Sequence, residues 1–129
     1  MALRCLIVDD DSRFLESARI LLEREGLEVV TASTGAQAVR RTEELRFDMV
    51  LLDIGLGRES GFDVARELHA AWSTESSRQE RPTIIFISTY AEADFGRLIK
   101  ASPVLGFIPK WSLSAQAIRE LLEGGASEP

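Results

Sequence analysis

Hydrophobic residues follow two alternating patterns along the chain. Short apolar runs, such as Ile84–Ile87, have the length of a strand. They alternate with stretches in which apolar residues recur three or four positions apart, as on one face of a helix. The alternation repeats five times. The predicted strands are Leu3–Val8, Glu28–Ala32, Met49–Leu52, Thr83–Ser88 and Leu105–Ile108.

Local start and stop patterns delimit the helices that follow these strands. Gly26 suits the end of the first helix. The capping-box pattern of Thr34–Gln37 predicts the start of the second helix, and a similar pattern at 89–92 predicts the start of the fourth. Ser112 is the expected N-cap of the fifth.

Strict alternation of strands and helices with short connections predicts a parallel sheet with right-handed crossovers. The first, third and fourth strands are almost continuously apolar, as expected of parallel strands that are covered on both faces. We therefore expect one α/β domain over residues 1–123, a three-layer doubly wound sheet of five strands. Residues 124–129 are expected to be a flexible tail or the start of a linker.

Composition narrows the class of protein. The 129 residues fit one domain, and the net charge of -6 argues against direct binding of nucleic acid, which requires a basic face. The single cysteine, Cys5, excludes an internal disulfide and a zinc site built from cysteines. No apolar run has the length of a membrane span, and the N-terminus lacks the pattern of a signal peptide. We expect a cytoplasmic protein without membrane contact.

Polar residues of the kinds that bind metals or take part in catalysis stand where the predicted strands end. Asp9 and Asp10 follow the first strand, Asp53 the third, Ser88 ends the fourth and Lys110 follows the fifth. The carboxyl ends of parallel strands lie at one edge of a sheet, so these groups should converge. Carboxylates about 4 Å apart repel by roughly 4 kcal/mol at an effective dielectric of about 20, which favours a bound cation.

The chemistry of these groups suits Mg²⁺ and phosphoryl transfer. Mg²⁺ prefers carboxylate oxygens and water as ligands. One aspartate could attack phosphorus as a nucleophile, while Lys110 and the Ser88 hydroxyl neutralise and hydrogen-bond the phosphoryl oxygens. The neighbouring Asp11 is expected to cap the first helix instead of binding metal.

Four motifs in order, each at a strand end, resemble the receiver domains of bacterial two-component response regulators over about residues 3–123. The resemblance implies a flavodoxin-like (βα)5 fold with strand order 2-1-3-4-5. The motifs are Leu6–Asp10, Val50–Asp53 with Gly61 after it, Ile85–Ser88 and Gly106–Lys110.

The resemblance also implies roles for individual residues. Asp53 corresponds to the phosphoacceptor. Ser88 corresponds to the switch hydroxyl and Lys110 to the family's lysine. Phe107 corresponds to the aromatic residue that changes rotamer, although a static core role is the alternative for it. The implied Mg²⁺ ligands are Asp9, Asp10, Asp53 and the backbone carbonyl of Gly55.

Members of this family are signalling switches. The resemblance implies a phosphoryl donor that is a sensor histidine kinase or a histidine phosphotransfer protein. It also implies that the fourth helix, fifth strand and fifth helix repack to change the binding of an output domain, a partner protein or a second copy of the chain. Such a domain is not an enzyme in the usual sense, because it catalyses only its own phosphorylation and dephosphorylation.

The sequence departs from the family pattern around the site. Gly57 and Trp111 stand where the family commonly has prolines, so the loop after Asp53 is expected to be looser. Thr89 is larger than the usual residue after the switch hydroxyl. Tyr90 could shield an acyl phosphate from water, which predicts slow self-dephosphorylation.

Three other functions compete with this one. A degenerate receiver would act as a constitutive interaction module, although every key position is filled. A phosphatase of the haloacid dehalogenase kind would use the Asp9–Asp11 cluster, but Arg13 stands where that family has Thr or Val, and Asp53 would have no role. A flavodoxin-like carrier is disfavoured, because three aspartates would repel a flavin phosphate.

Overall fold

The computed structural model describes residues 2–73, 81–89 and 95–127. A short hairpin, formed by Gly55–Leu56 and Glu59–Ser60, follows the third strand, and a 3₁₀ turn at Lys110–Ser112 follows the fifth. The main strands are β1 (Arg4–Val8), β2 (Glu28–Ala32), β3 (Met49–Asp53), β4 (Thr83–Ser88) and β5 (Gly106–Pro109). The helices are α1 (Ser12–Arg24), α2 (Gly35–Glu44), α3 (Gly61–Ser73), α4 (Gly96–Lys100) and α5 (Ala115–Ser127).

The five main strands form one parallel sheet in the order β2-β1-β3-β4-β5. This confirms the predicted fold and strand order. The limits of β2 and β4 are as predicted, and no end of the other three strands differs by more than one residue. β3 and β5 each extend one residue further than predicted, because Asp53 still pairs with Ile87 and Pro109 with Ser88. β3 lies at the centre, and all its residues are buried.

The sheet separates two apolar cores, because successive side chains of a strand point to opposite faces. Leu52 and Phe86 belong to the core beneath α2, α3 and α4, whereas Leu51 and Ile85 belong to the core beneath α1 and α5. This arrangement is the predicted three-layer architecture.

Most of the predicted helix ends are confirmed. The Gln37 N–H donates to Thr34 Oγ1 at 3.1 Å, so Thr34 caps α2. Asp11 caps α1 by accepting from the next helix amides, and Gly26, past the end of α1, has φ of 97°. Residues 90–92 of the predicted cap of the fourth helix lie outside the described residues, and α4 is described from Gly96.

The predicted N-cap of α5 at Ser112 is wrong. Ser112 belongs to the 3₁₀ turn Lys110–Ser112, so the helix begins later. Ser114 is the cap, because its Oγ accepts from the Ala117 N–H at 3.0 Å. Glu25 adds a second contact, accepting from the Ala115 N–H at 2.6 Å. No helix in the described part of the chain is long and apolar enough to cross a membrane.

Candidate functional site

The carboxyl edge of the sheet collects the predicted site residues. Asp9 directly follows β1, Asp53 and Ser88 end β3 and β4, and Lys110 directly follows β5. Among the described residues, Asp9, Asp53 and Ser88 are the buried polar or charged ones. The three buried polar residues of the described ranges therefore all lie at the edge where the sequence predicts the site.

Three carboxylates are close enough to share a cation. One oxygen each of Asp9, Asp10 and Asp53 lies within 4.8 Å of the others, and Asp10 faces solvent. The Asp11 N–H donates to Asp9 Oδ1 at 2.9 Å, and the buried Asp9 Oδ2 is paired with the Lys110 ammonium. Carboxylate oxygens that converge in this way are the hard donors that Mg²⁺ prefers.

Lys110 is the cation that the chain itself supplies. Its Nζ lies 2.6 Å from Asp9 Oδ2 and 3.5 Å from Asp53 Oδ2. Burial alone would lower the pKa of Lys110, but the contact with Asp9 and the charges of Asp53 and Asp9 outweigh burial and raise the pKa. Lys110 is therefore held as an ammonium between the two carboxylates.

Phe14 is a site residue that the sequence did not reveal. The Lys110 Nζ lies 4.4 Å from the centre of its ring, within cation–π range. In the sequence, Phe14 is only one of the regularly spaced apolar residues of α1, and the contact of its ring with the ammonium is visible only in the folded chain.

The environment of Asp53 disfavours its charge. Burial and the neighbouring Asp9 carboxylate raise the pKa of Asp53 to about 6, although Lys110 and the Gly55 N–H act in the opposite direction. The Gly55 N–H lies 3.4 Å from Asp53 Oδ1. A cation bound at this edge would favour the ionised form, which is the nucleophilic one.

The loop after Asp53 is built by two glycines. Gly57 has φ of 63° at the first position of the hairpin turn, where two-residue turns need a positive φ. The glycine in the proline's place thus forms an ordered hairpin. A Cβ at Gly61 would collide with the Asp53 carbonyl oxygen and the Ile54 backbone, so α3 can start this close to β3 only with glycine.

The positions of the remaining predicted residues do not by themselves test the roles predicted for them. Ser88 is buried at the end of β4, and Thr89 after it is exposed. Phe107 is half-buried and packs against the core beneath α2, α3 and α4, so its movement stays a prediction. Tyr90 lies outside the described residues, and the metal role of the Gly55 carbonyl also stays a prediction.

Other residues of interest lie away from this edge. Trp72 is buried, and its Nε1–H donates to Thr42 Oγ1 at 3.3 Å, which agrees with a packing role. His69 is exposed, Cys5 is buried in β1, and 67% of the Trp111 surface is exposed beside the site.

Comparison with known proteins shows the family. The family model described as "Response regulator receiver domain" matches residues 5–123. The chain therefore belongs to the response regulator receiver domain family, and this is the receiver of a two-component system.

Two curated relatives agree with this assignment. The DNA-binding response regulator MtrA of Mycolicibacterium paratuberculosis is 43% identical over 70 residues, which are 54% of this chain and 31% of that protein. The transcriptional regulatory protein KdpE of Mycobacterium tuberculosis is 45% identical over 69 residues, 54% of this chain and 30% of that protein. The matched segment spans about a third of each of these curated relatives.

Solved structures match nearly the whole chain. A CheY-like receiver domain protein from Methanospirillum hungatei is 26% identical with a TM-score of 0.75, covering 98% of this chain and 95% of that one. A CheY-like receiver domain from Methylobacillus flagellatus has a TM-score of 0.78 at 19% identity, covering 97% and 99%, and supports the fold alone.

Proposed function

We propose that this receiver is a phosphorylation-activated switch that accepts a phosphoryl group on Asp53 from a phosphohistidine donor in a Mg²⁺-dependent reaction. The observation that carries the proposal is the cluster of Asp9, Asp10 and Asp53 with Lys110 reaching into it. Catalysis is limited to the domain's own phosphorylation and dephosphorylation.

The transfer is a displacement at phosphorus. A carboxylate oxygen of Asp53 forms the new O–P bond, and the N–P bond of the phosphohistidine breaks. The electron pair of that bond stays on the donor nitrogen, so the donor leaves as a histidine. Lys110, already 3.5 Å from Asp53, offsets the charge of the phosphoryl oxygens.

The metal requirement follows from the carboxylates. Asp9, Asp10 and Asp53 would hold Mg²⁺, and the Gly55 carbonyl is proposed as a fourth protein ligand. Mg²⁺ supplies the positive charge that offsets mutual repulsion of the carboxylates and of the incoming phosphoryl group. The pKa of Asp53, raised to about 6, supports this proposal. The surroundings disfavour the ionised carboxylate that must attack phosphorus, and a bound cation would favour it.

We propose that the output acts through the face formed by α4, β5 and α5. Ser88 lies at the phosphoryl end of this face and Phe107 is half-buried within β5. Exposed apolar side chains, Leu98, Leu105 and Trp111, lie on or beside α4 and β5. Partners on this face would be a sensor histidine kinase or phosphotransfer protein, an output domain or a second copy of the chain.

A degenerate receiver that never accepts phosphate is the second candidate, but no described position favours it. The phosphatase alternative is weakened because Asp11 accepts from the Arg13 and Phe14 N–H groups as the cap of α1. Its carboxylate therefore serves the helix and not a spaced catalytic pair.

Phosphorylation by a small donor tests the proposal. The protein is incubated with acetyl phosphate and Mg²⁺, and its intact mass is measured. We expect a gain of one phosphoryl group that is absent in Asp53→Asn and in EDTA, and present in the control Asp63→Asn on the exposed surface of α3. No adduct with acetyl phosphate or phosphoramidate would favour the degenerate receiver. Steady hydrolysis of a generic phosphate ester would favour the phosphatase.

A further inference from the structure

One side chain ties the hairpin after Asp53 to the start of α2. The Gly35 N–H lies 2.9 Å from Oε1 and 3.2 Å from Oε2 of Glu59. An amide in the first turn has no partner within its own helix, and a carboxylate there also meets the positive end of the helix dipole. The contact joins residues 24 positions apart, so it is a tertiary clamp.

Gly35 permits this clamp because it has no side chain. A Cβ at this position would lie 2.7 Å from Glu59 Oε2 and 2.9 Å from Cγ2 of Val64 on α3. A side chain here would therefore force the Glu59 carboxylate and Val64 to move away from the start of α2.

The backbone of the same hairpin contacts two of the three site carboxylates. The turn at Gly57 lies against Asp10, since a Cβ there would be 2.9 Å from Asp10 Oδ2. At the start of the hairpin, the Gly55 N–H lies 3.4 Å from Asp53 Oδ1. Leu56 pairs with Glu59 across the hairpin. The position of Glu59 therefore affects the segment that joins Gly55, beside Asp53, to Gly57, beside Asp10.

We infer that Glu59 is a positioning residue for the carboxylate cluster. By clamping the hairpin to Gly35, it orients Asp10 and Asp53 for a divalent cation, although its own carboxylate is engaged by α2 and is not a ligand. The inference rests on the proposed function, because it takes this edge of the sheet as the Mg²⁺ site.

Mg²⁺ affinity of the unphosphorylated protein tests the inference, measured by calorimetric titration for wild type, Glu59→Ala, Glu59→Gln and Glu67→Ala. Glu59→Ala should weaken binding about tenfold, the lower end of what loss of a supporting contact costs a metal site. Glu59→Gln keeps an oxygen that accepts from Gly35 and should restore most of the affinity. Glu67→Ala, exposed on α3, removes the same charge and should bind like wild type.

Hydrogen–deuterium exchange without metal provides a second readout. The Gly61 N–H donates to the Ile54 carbonyl oxygen at 2.6 Å at the base of the hairpin. Glu59→Ala should accelerate exchange at Gly61 and Phe62 while exchange in β3 stays unchanged. Uniformly faster exchange across the domain would point to general destabilisation and would contradict a local positioning role.

Gly35→Ala perturbs the clamp from the other side. Its Cβ should displace the Glu59 carboxylate and weaken Mg²⁺ binding to a similar extent. The double variant Gly35→Ala with Glu59→Ala should bind no more weakly than Glu59→Ala alone, because both changes break one contact. Full additivity in the affinity for Mg²⁺ would overturn the inference.

The outcomes separate this inference from the proposed function. Unchanged Mg²⁺ affinity in Glu59→Ala, with wild-type Asp53 phosphorylated, overturns the positioning role alone. If the variants show the expected order of Mg²⁺ affinities but Asp53 of the wild type is not phosphorylated, the positioning role is retained and the proposed function is overturned. Absence of Mg²⁺ binding by the wild type overturns both.

Discussion

Asp53→Asn replaces a buried carboxylate with a neutral group of the same shape. In the folded protein, burial and the Asp9 charge raise the pKa of Asp53 to about 6, against about 3.9 in an unfolded chain. The folded state therefore binds more protons than the unfolded state between these two values. The stabilising protonated form of Asp53 is fully present below about pH 4, and its contribution is lost as pH rises through about 6.

The magnitude follows from the size of the shift. Two pKa units at 1.36 kcal/mol each give about 3 kcal/mol of stability lost at neutral pH. Asp53 is at the end of its strand and 9% of its side chain stays exposed, so partial solvent screening reduces this figure and we expect about 1–2 kcal/mol. Asparagine carries no such cost, so Asp53→Asn should be the more stable protein at pH 7.5 without metal.

The assay is urea unfolding in EDTA at several pH values between about 4.5 and 8, since linear extrapolation gives the free energy of unfolding at each pH. The difference between Asp53→Asn and wild type should grow as pH rises and level off above about 7. Saturating Mg²⁺ should stabilise the wild type more than the variant, since a ligand stabilises the state that binds it. The exposed Asp63→Asn serves as the control. A difference that does not vary with pH, or a variant that is less stable at pH 7.5, would refute the reasoning.

Three further predictions concern single contacts. Lys110→Met should lower the free energy of unfolding at pH 7 by about 2–3 kcal/mol, because a buried carboxylate loses its counter-charge. Mg²⁺ should restore part of the lost stability, and an equal loss with and without Mg²⁺ would contradict this explanation. Gly61→Ala should destabilise the domain by about 2 kcal/mol or more, because the new Cβ collides with backbone atoms. In the same denaturation experiment, Gly55→Ala should cost less than about 1 kcal/mol, because a Cβ there meets nothing within 4 Å. Ser114→Ala should lower stability by about 1 kcal/mol and Ser112→Ala by less than about 0.5, so the reverse order in thermal unfolding would restore Ser112 as the cap.

Periodicity was sufficient to predict the sheet, since β-α alternation with nearly continuous apolar strands has few solutions. It also placed Asp9, Asp53, Ser88 and Lys110 at one edge, because strand ends of a parallel sheet share a side. The order of the strands came from the resemblance to receivers, because alternation alone leaves several orders open.

Contacts between distant elements were not predictable in the same way. The Glu59 contact with Gly35 depends on how closely α2 approaches the hairpin, and no local pattern encodes this distance. The cap of α5 was misplaced because Ser112 and Ser114 are equally good capping residues. The 3₁₀ turn that decides between them depends on how the chain leaves β5.

The central place of β3 has a mechanical consequence. The proposed acceptor Asp53 ends a strand that is buried along its whole length and paired on both sides, so we expect this part of the sheet to deform least. Within the described part of the chain, β5 pairs with β4 alone and is partly exposed, so we expect it to open at lower cost. We therefore expect a small change of charge at Asp53 to displace β5 more than β3, on the face where partners are proposed to bind.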